Sequence, residues 1–464
     1  MRIVVHTLVL VVVVSLVSLS GIVGAARYSS TNYVIDASAT NSFGGDGSST
    51  SYNIVGSGGE SIIGDGSSGS YKMAAGYVAQ LEELSTNSIE ITAQPSDLIV
   101  YYPLNETSGS DVFDKGLQAL DGTTSGSPSW GSGKLGGAIS LNGSTQYISV
   151  ADDASFASTS TMTISAWVNQ SSSATDETII SHWDYSGGTP TSGSWALQTS
   201  SGDSSALRFY VADSATDSGN NYVDTATSTW SSGSWRYVTV VYDGSQSNAN
   251  RVKIYIDGTL ASTSTTGTIA TSLYDASAPL VIGDFSGRSR FWTGDVDHVK
   301  LFNRAFSAGE VQAEYDAQNA GTGTGLTLGN LTPGTSNITE FDVITATDAN
   351  GYNLAISQNH DLQFGANTIG GVSGTIDTPV AWSEGSTTGL GFSLYTTNAT
   401  AIPGKWNSGN SYAAIPGSSS TFYTRTGTQS SRDYLGIRLR VDVAPSQVAG
   451  DYSQRTTITG TMTP

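Results

Sequence analysis

Four consecutive residues, His182, Trp183, Asp184 and Tyr185, place an imidazole, two aromatic rings and a carboxylate at the end of a predicted strand. A sugar offers an apolar C–H face to a ring and hydroxyls to a carboxylate or amide, so this run is a candidate saccharide site. Trp195 and Trp292 are further candidates, with Trp230 and Phe291 behind them. The competing reading is that these rings are core, as most tryptophans of a β-sandwich are. Asp297 is a candidate of another kind. Strand alternation along Val296–Asn303 puts it on one face with Val299 and Leu301, where a carboxylate needs a partner or a metal. Val296 and Phe302 qualify the opposite face equally well as core.

Catalytic signals are sparse. There is no Gly-x-Ser-x-Gly elbow, and His182, His298 and His360 stand alone without a His-Glu-x-x-His pair. The closely spaced carboxylates Glu314 and Asp316 fall in a predicted helix. The chain has no cysteine, which excludes disulfides, thiolate metal sites, cysteine nucleophiles and a lipid-modified N-terminal cysteine, so no lipid anchor is expected. The expectation is a protein that is not an enzyme.

Charge narrows the partners. Across 464 residues, 19 Lys+Arg against 39 Asp+Glu leave a formal charge of −20. A nucleic-acid binder needs clustered cations to displace counterions from phosphate, and this composition does not supply them. Residues 1–26 carry one cation, Arg2, before a long apolar run that ends in the small residues Val23-Gly24-Ala25. This reads as a signal peptide, or as an uncleaved N-terminal anchor, and places the rest outside the cell. The C-terminal TTITGTMTP shows no wall-sorting motif and no hydrophobic tail.

The elements that must carry these residues are strands. Residues 27–90 hold a repeat, with Tyr33, Tyr52 and Tyr71 spaced 19 apart and Gly-Asp-Gly-Ser-Ser recurring at 45–49 and 64–68. The pattern predicts short β-repeats, or a stalk. Residues 97–318 alternate with period two, as in Met162, Ile164, Ala166 and Val168. Asp257-Gly258 and Asp243-Gly244 mark hairpins, and the capping box Ser307-x-x-Glu310 opens one short helix. Residues 326–464 read as further strands broken by Gly, Pro and Asn, with Gly321–Gly325 as a flexible joint. Both 27–90 and 326–464 are candidate protein–protein contacts. The whole is all-β.

The middle region resembles the laminin-G-like, concanavalin A-like lectin/glucanase jelly rolls. The resemblance rests on landmarks in order: Leu98-Ile99-Val100-Tyr101-Tyr102-Pro103-Leu104-Asn105-Glu106, Gly136-Gly137-Ala138-Ile139-Ser140-Leu141-Asn142-Gly143, Tyr147-Ile148-Ser149-Val150 and Thr163-Ile164-Ser165-Ala166-Trp167-Val168. Trp235-Arg236-Tyr237-Val238, Tyr255-Ile256-Asp257-Gly258, Gly294-Asp295-Val296-Asp297-His298-Val299 and Phe302-Asn303-Arg304-Ala305-Phe306-Ser307 complete it. The resemblance implies a jelly roll over 97–318. It also implies that Asp297, with Asp114 and Asp121, holds a structural calcium; the alternative is that Asp297 caps loop amides. Glucanases of this fold carry Glu-x-Asp-x-x-Glu on one strand, and this sequence has no such run. The last region resembles the Ig-like sandwich modules of bacterial surface proteins, through Ala449-Gly450-Asp451-Tyr452. The function these readings imply is a secreted or cell-surface, non-catalytic protein that binds a glycan or surface polymer. The alternative is a structural or adhesive component whose jelly roll is a spacer or protein contact.

Overall fold

Alternating β-branched and aromatic residues bury one face of each strand, so the chain is driven to stack sheets in pairs. A computed structural model describes residues 89–464, apart from gaps at 157–159, 172, 187–188, 218, 322–323, 348, 400, 430 and 464; before residue 89 it describes strand backbone alone. The side chains of the expected leader and of the tyrosine repeats lie outside the described residues. The backbone there forms three two-stranded ladders, among them Gly45–Ser49 with Tyr52–Gly56 and Gly64–Ser67 with Lys72–Ala75, and Ile3–Val14 runs parallel to Asp451–Met462.

The central region is a sandwich of a nine-stranded sheet and an eight-stranded sheet. In the first, Thr178–Ser186, Thr189–Ser200, Asp203–Val211 and Tyr222–Thr225 follow one another as antiparallel neighbours. In the second, the long Thr161–Gln170 strand lies between Arg236–Asp243 and Thr293–Phe302, and Leu98–Tyr102 pairs with the last of these. One core fills the space between, including Ile164, Val168, Leu197, Phe209, Val240 and Val299. Asp257 and Gly258 both take positive φ (51° and 75°), as a two-residue hairpin turn requires. Asp243-Gly244 behaves differently: the connection to Val252–Ile256 is a longer loop with a short 3-10 turn at Asn248–Asn250.

The helix runs Ala308–Asn319 and starts with the expected reciprocal cap between Ser307 and Glu310. It packs on the outer face of the eight-stranded sheet, where Val311 meets Val241, Tyr255, Phe302 and Phe306. No helix among the described residues is long and apolar enough to cross a membrane.

A second sandwich follows, with its own core around Phe341, Leu354, Phe392, Trp406, Ile437 and Ile458. One of its sheets is Gly389–Thr397, Asp433–Asp442, Asn337–Thr347 and Ile89–Pro95, in that order. The last strand comes from before the jelly roll, with Ile89, Ile91 and Ala93 in the core and Pro95 opposite Phe341. The jelly roll is thus inserted into this sandwich between its first and second parts.

The expected joint also differs. Thr324–Leu326 is a buried strand; the Thr324 hydroxyl donates to the Ala93 carbonyl at 2.7 Å and the Gly325 amide to the buried Glu314 carboxylate at 3.0 Å. A Cβ at Gly325 would lie 1.7 Å from the Ala313 carbonyl oxygen, so glycine is needed here for close approach to the helix rather than for freedom.

Where the chain crosses between the sandwiches, Asp342 sits beside Asp97 and Glu340. Burial, and then those two charges, push its carboxyl from 3.8 to about 6. The neutral form is favoured by the fold, so this contribution is complete below pH 3.8 and lost as pH rises through about 6. Asp342→Asn is expected to stabilise the protein near pH 7.5 by at most about 3 kcal/mol and to flatten its stability profile between about pH 4 and 6. Urea denaturation across pH checks this; an unchanged profile would show that Asp342 titrates normally.

Candidate functional site

Strand alternation decides where the aromatic candidates go. On the nine-stranded sheet, Trp195, Leu197, Phe209, Val211 and Val223 point into the intersheet core, so their neighbours point outward. His182 is fully buried on the inward side, against Phe156 and Trp195, with Nε2 3.5 Å from Asp152. Burial lowers its pKa, against the opposing pull of Asp152, which favours a neutral imidazole. Trp292 is also fully buried, in contact with Trp230. Trp195 is 2% exposed. These three are core, because a sandwich of this width needs large rings to fill it.

Trp183 and Tyr185 do turn outward, but onto a second aromatic cluster with Ala196, Tyr210 and Phe285. Trp183 is fully buried there, and a Cβ on Gly193 would stand 2.3 Å from its ring. Asp184 is half-buried and holds loops together, accepting from Ser286 at 2.7 Å and Thr191 at 3.2 Å. The run expected to present a sugar site is therefore mostly packed, and only its rim is accessible.

That rim, missed by the sequence reading, continues across the sheet. Arg208 makes two bonds of 2.7 Å to Asp224 and lies 3.8 Å from the centroid of the Tyr222 ring. Arg288 lies over Tyr185 at 4.4 Å, and Arg290 pairs with Asp176 at 2.8 Å. Tyr210 stands opposite Tyr222, and Arg208 opposite Asp224, so the row follows from the pairing register. Period-two alternation puts Arg208, Tyr210, Tyr222 and Asp224 on one outward face, a signal that involves no tryptophan.

The three aspartates expected at a metal all accept backbone amides. Asp114 is fully buried and accepts the amides of Tyr101, Gly116 and Leu120 at 2.7–3.0 Å. Burial still raises its pKa, outweighing those donors. Asp121 accepts the Asp114 amide at 2.8 Å. Asp297 accepts the Leu135 amide at 2.9 Å and contacts His298 Nδ1 at 2.6 Å. Among the described residues, no group of three or more His, Asp or Glu side chains could hold a metal ion.

A bulge explains the Asp297 side. Between the Ser165–Lys300 and Trp167–Asp297 pairs the register slips, and His298 takes φ 49°. Val296, Val299 and Leu301 all face the intersheet core, so Asp297 does not share their face as alternation predicts. An extra residue in one strand resets the period and re-aims the side chains around it. Here it turns His298 toward a crevice of about 450 Å³ between the sandwiches, whose lining includes Tyr101, Asn105, Lys115, Gln94 and Gln318.

Residues 142–312 match the family model described as the concanavalin A-like lectin/glucanases superfamily. The central sandwich is a concanavalin A-like domain. Solved structures similar to the chain include domain 4 of a GH43 extracellular arabinanase from Geobacillus stearothermophilus in complex with arabinotriose. It is 18% identical, with 47% of this chain and 98% of that one covered and a TM-score of 0.35. Trypanosoma rangeli sialidase in complex with 2,3-difluorosialic acid is 16% identical, covering 48% of this chain but only 33% of the sialidase, with a TM-score of 0.33. The binding domain of Paraclostridial Mosquitocidal Protein 1 is 12% identical over 77% of this chain and 72% of its own, with a TM-score of 0.36. No curated protein matches the chain. The concanavalin A-like domain thus has its fold assigned, and its ligand must be argued from its own surfaces.

Proposed function

We propose that the protein is a secreted or cell-surface, non-catalytic binding protein whose concanavalin A-like domain recognises carbohydrate or a similar surface polymer. The observation that carries this reading is the outward row of the nine-stranded sheet. Arg208, itself only 9% exposed, is fixed by two bonds to Asp224 and stacked on the half-buried Tyr222, so the row presents the Tyr222 ring and the Asp224 carboxylate on a pre-oriented support. Such a surface offers a sugar ring an apolar face and its hydroxyls a carboxylate acceptor, with little side-chain entropy left to lose. The leader sequence supports export, and the missing Glu-x-Asp-x-x-Glu run supports binding without hydrolysis.

A glycan array probed with the full chain, in calcium and again in EDTA, tests the proposal. Binding of one glycan class, weakened about tenfold or more in Tyr222→Ala with an unchanged thermal midpoint, is the expected result. Loss of binding in EDTA would give calcium a part in it. A blank array in both conditions would overturn the carbohydrate reading and favour a structural or protein-binding role.

A further inference from the structure

The last strand of the second sandwich, Asp451–Met462, has neighbours on both edges. On one edge Gly351–Gln358 lies antiparallel to it. On the other Ile3–Val14 lies parallel to it, with Thr7 opposite Ser453 and Val14 opposite Gly460. The far edge of Ile3–Val14 is paired in turn, Leu8 to Leu10 with Thr324–Leu326 and Ile3 to Val5 with Gly329–Leu331. The N-terminal segment is therefore a central strand of this sheet, with ladders along both sides.

The sandwich is built around that slot. Among the described residues, Thr324–Leu326 and Gly329–Leu331 pair with no other strand, yet Leu326, Leu328 and Leu331 are buried in the second core. Gly325 stands opposite Val9 and sends its amide the other way, to Glu314 at 3.0 Å, as a non-hydrogen-bonded position of an antiparallel ladder does. Without a strand here, backbone groups on both sides of the slot would lose their partners, a cost for each one kept from water.

The segment's own sequence suits the place. IVVHTLVLVVVV holds Ile, Val or Thr at most positions, and β-branched residues favour a strand over a helix. An unbroken apolar run, rather than an alternating one, is what a parallel strand covered on both faces carries. The helix Ala308–Asn319 and the strand Ile89–Pro95 both lie against it. His6, which interrupts the run, falls where the register with Asp451–Met462 slips, between Val4 and Thr7.

We propose that the slot between Thr324–Leu331 and Asp451–Met462 receives the chain's own N-terminal segment by strand addition, and that the exported protein keeps Ile3–Val14 as a structural strand. A segment held here is not free to cross a bilayer, so the leader ends as a strand rather than as an anchor. The slot is separate from the outward face of the nine-stranded sheet, and its filling does not depend on glycan binding there.

A chain without cysteine makes the test direct. Neighbouring strands lie about 4.8 Å apart, within reach of a disulfide. Val9 is the register partner of the exposed Arg455, and Val11 of Thr457. The full chain carrying Val9→Cys with Arg455→Cys, or Val11→Cys with Thr457→Cys, is oxidised in dilute solution and read by non-reducing electrophoresis and mass spectrometry. Val9→Cys with Thr424→Cys, on the edge strand Ser420–Thr426 of the same sheet, is the control. The expected result is an intramolecular disulfide in both register pairs and none in the control. In the unaltered chain, hydrogen exchange along Ile3–Val14 is expected to be slowed about a hundredfold or more without lipid. Fast exchange there, no cross-link in either register pair, or equal cross-linking in the control overturns the proposal. Disulfides between two molecules would assign the slot to a second copy's segment and overturn it too. So would slow exchange only when phospholipid vesicles are added, which places the segment in a bilayer, or an exported chain whose mass lacks residues 3–14.

Discussion

Replacing Lys300 by methionine is expected to cost about 3–5 kcal/mol, the largest effect of any single change to the junction between the sandwiches. Lys300 and Glu314 are both buried, with Nζ 2.5 Å from the carboxylate. The carboxylate also accepts from Gln318 and from the Gly325 amide. In Lys300→Met those two neutral donors remain, but the charge they solvate loses its counter-ion where water cannot replace it. Glu314 joins the helix to the first strand after it, so the loss should appear in the unfolding of both sandwiches. Urea denaturation followed by tryptophan fluorescence and by far-UV circular dichroism measures this. The double variant Lys300→Met, Glu314→Leu is expected to recover much of the loss, since it removes both desolvated charges. A single-variant loss below about 1 kcal/mol would mean that the pair is solvated.

Trp183→Ala is expected to cost about 3–5 kcal/mol as well, for a different reason. The ring is fully buried on Gly193 and contacts Tyr185, Tyr210 and Phe285, a cluster that fills the space under the loops of the outward face. Truncation leaves a cavity that rigid strands on either side cannot close. Trp183→Phe should cost less, because the indole nitrogen has no partner to lose. Gly193→Ala tests the same contact from below by pushing a methyl into the ring. Thermal midpoints of the three variants check the argument. A stable Trp183→Ala with impaired glycan binding would return this ring to the ligand site.

Much of the fold can be read from local pattern, because a strand's period and a helix's cap are written within a few residues. The alternation at Met162–Val168, the turn at Asp257-Gly258 and the Ser307–Glu310 cap are all present. What local pattern cannot carry is a slip of register or a choice of distant partner. The bulge at His298 costs one residue of period, so Val296 and Val299 both face the core, an arrangement that neither alternating face allows. Ile89–Pro95 reads like any short strand, and nothing within it says that its partner, Phe341–Thr347, lies beyond the whole jelly roll. The tryptophans are ambiguous for a related reason. A ring suited to stack on sugar is equally suited to fill a core, and only the packing around Trp183, Trp195 and Trp292 separates the two uses.

The insertion has a mechanical consequence. If tension is applied between the segment before Ile89 and the segment after Met462, both attachment points belong to the second sandwich. The jelly roll then hangs as a side loop off the line of force. It stays slack until Ile89–Pro95 is stripped from Asn337–Thr347. A domain carried in this way is expected to keep its shape under a load that already strains its support, with the second sandwich as the mechanical fuse.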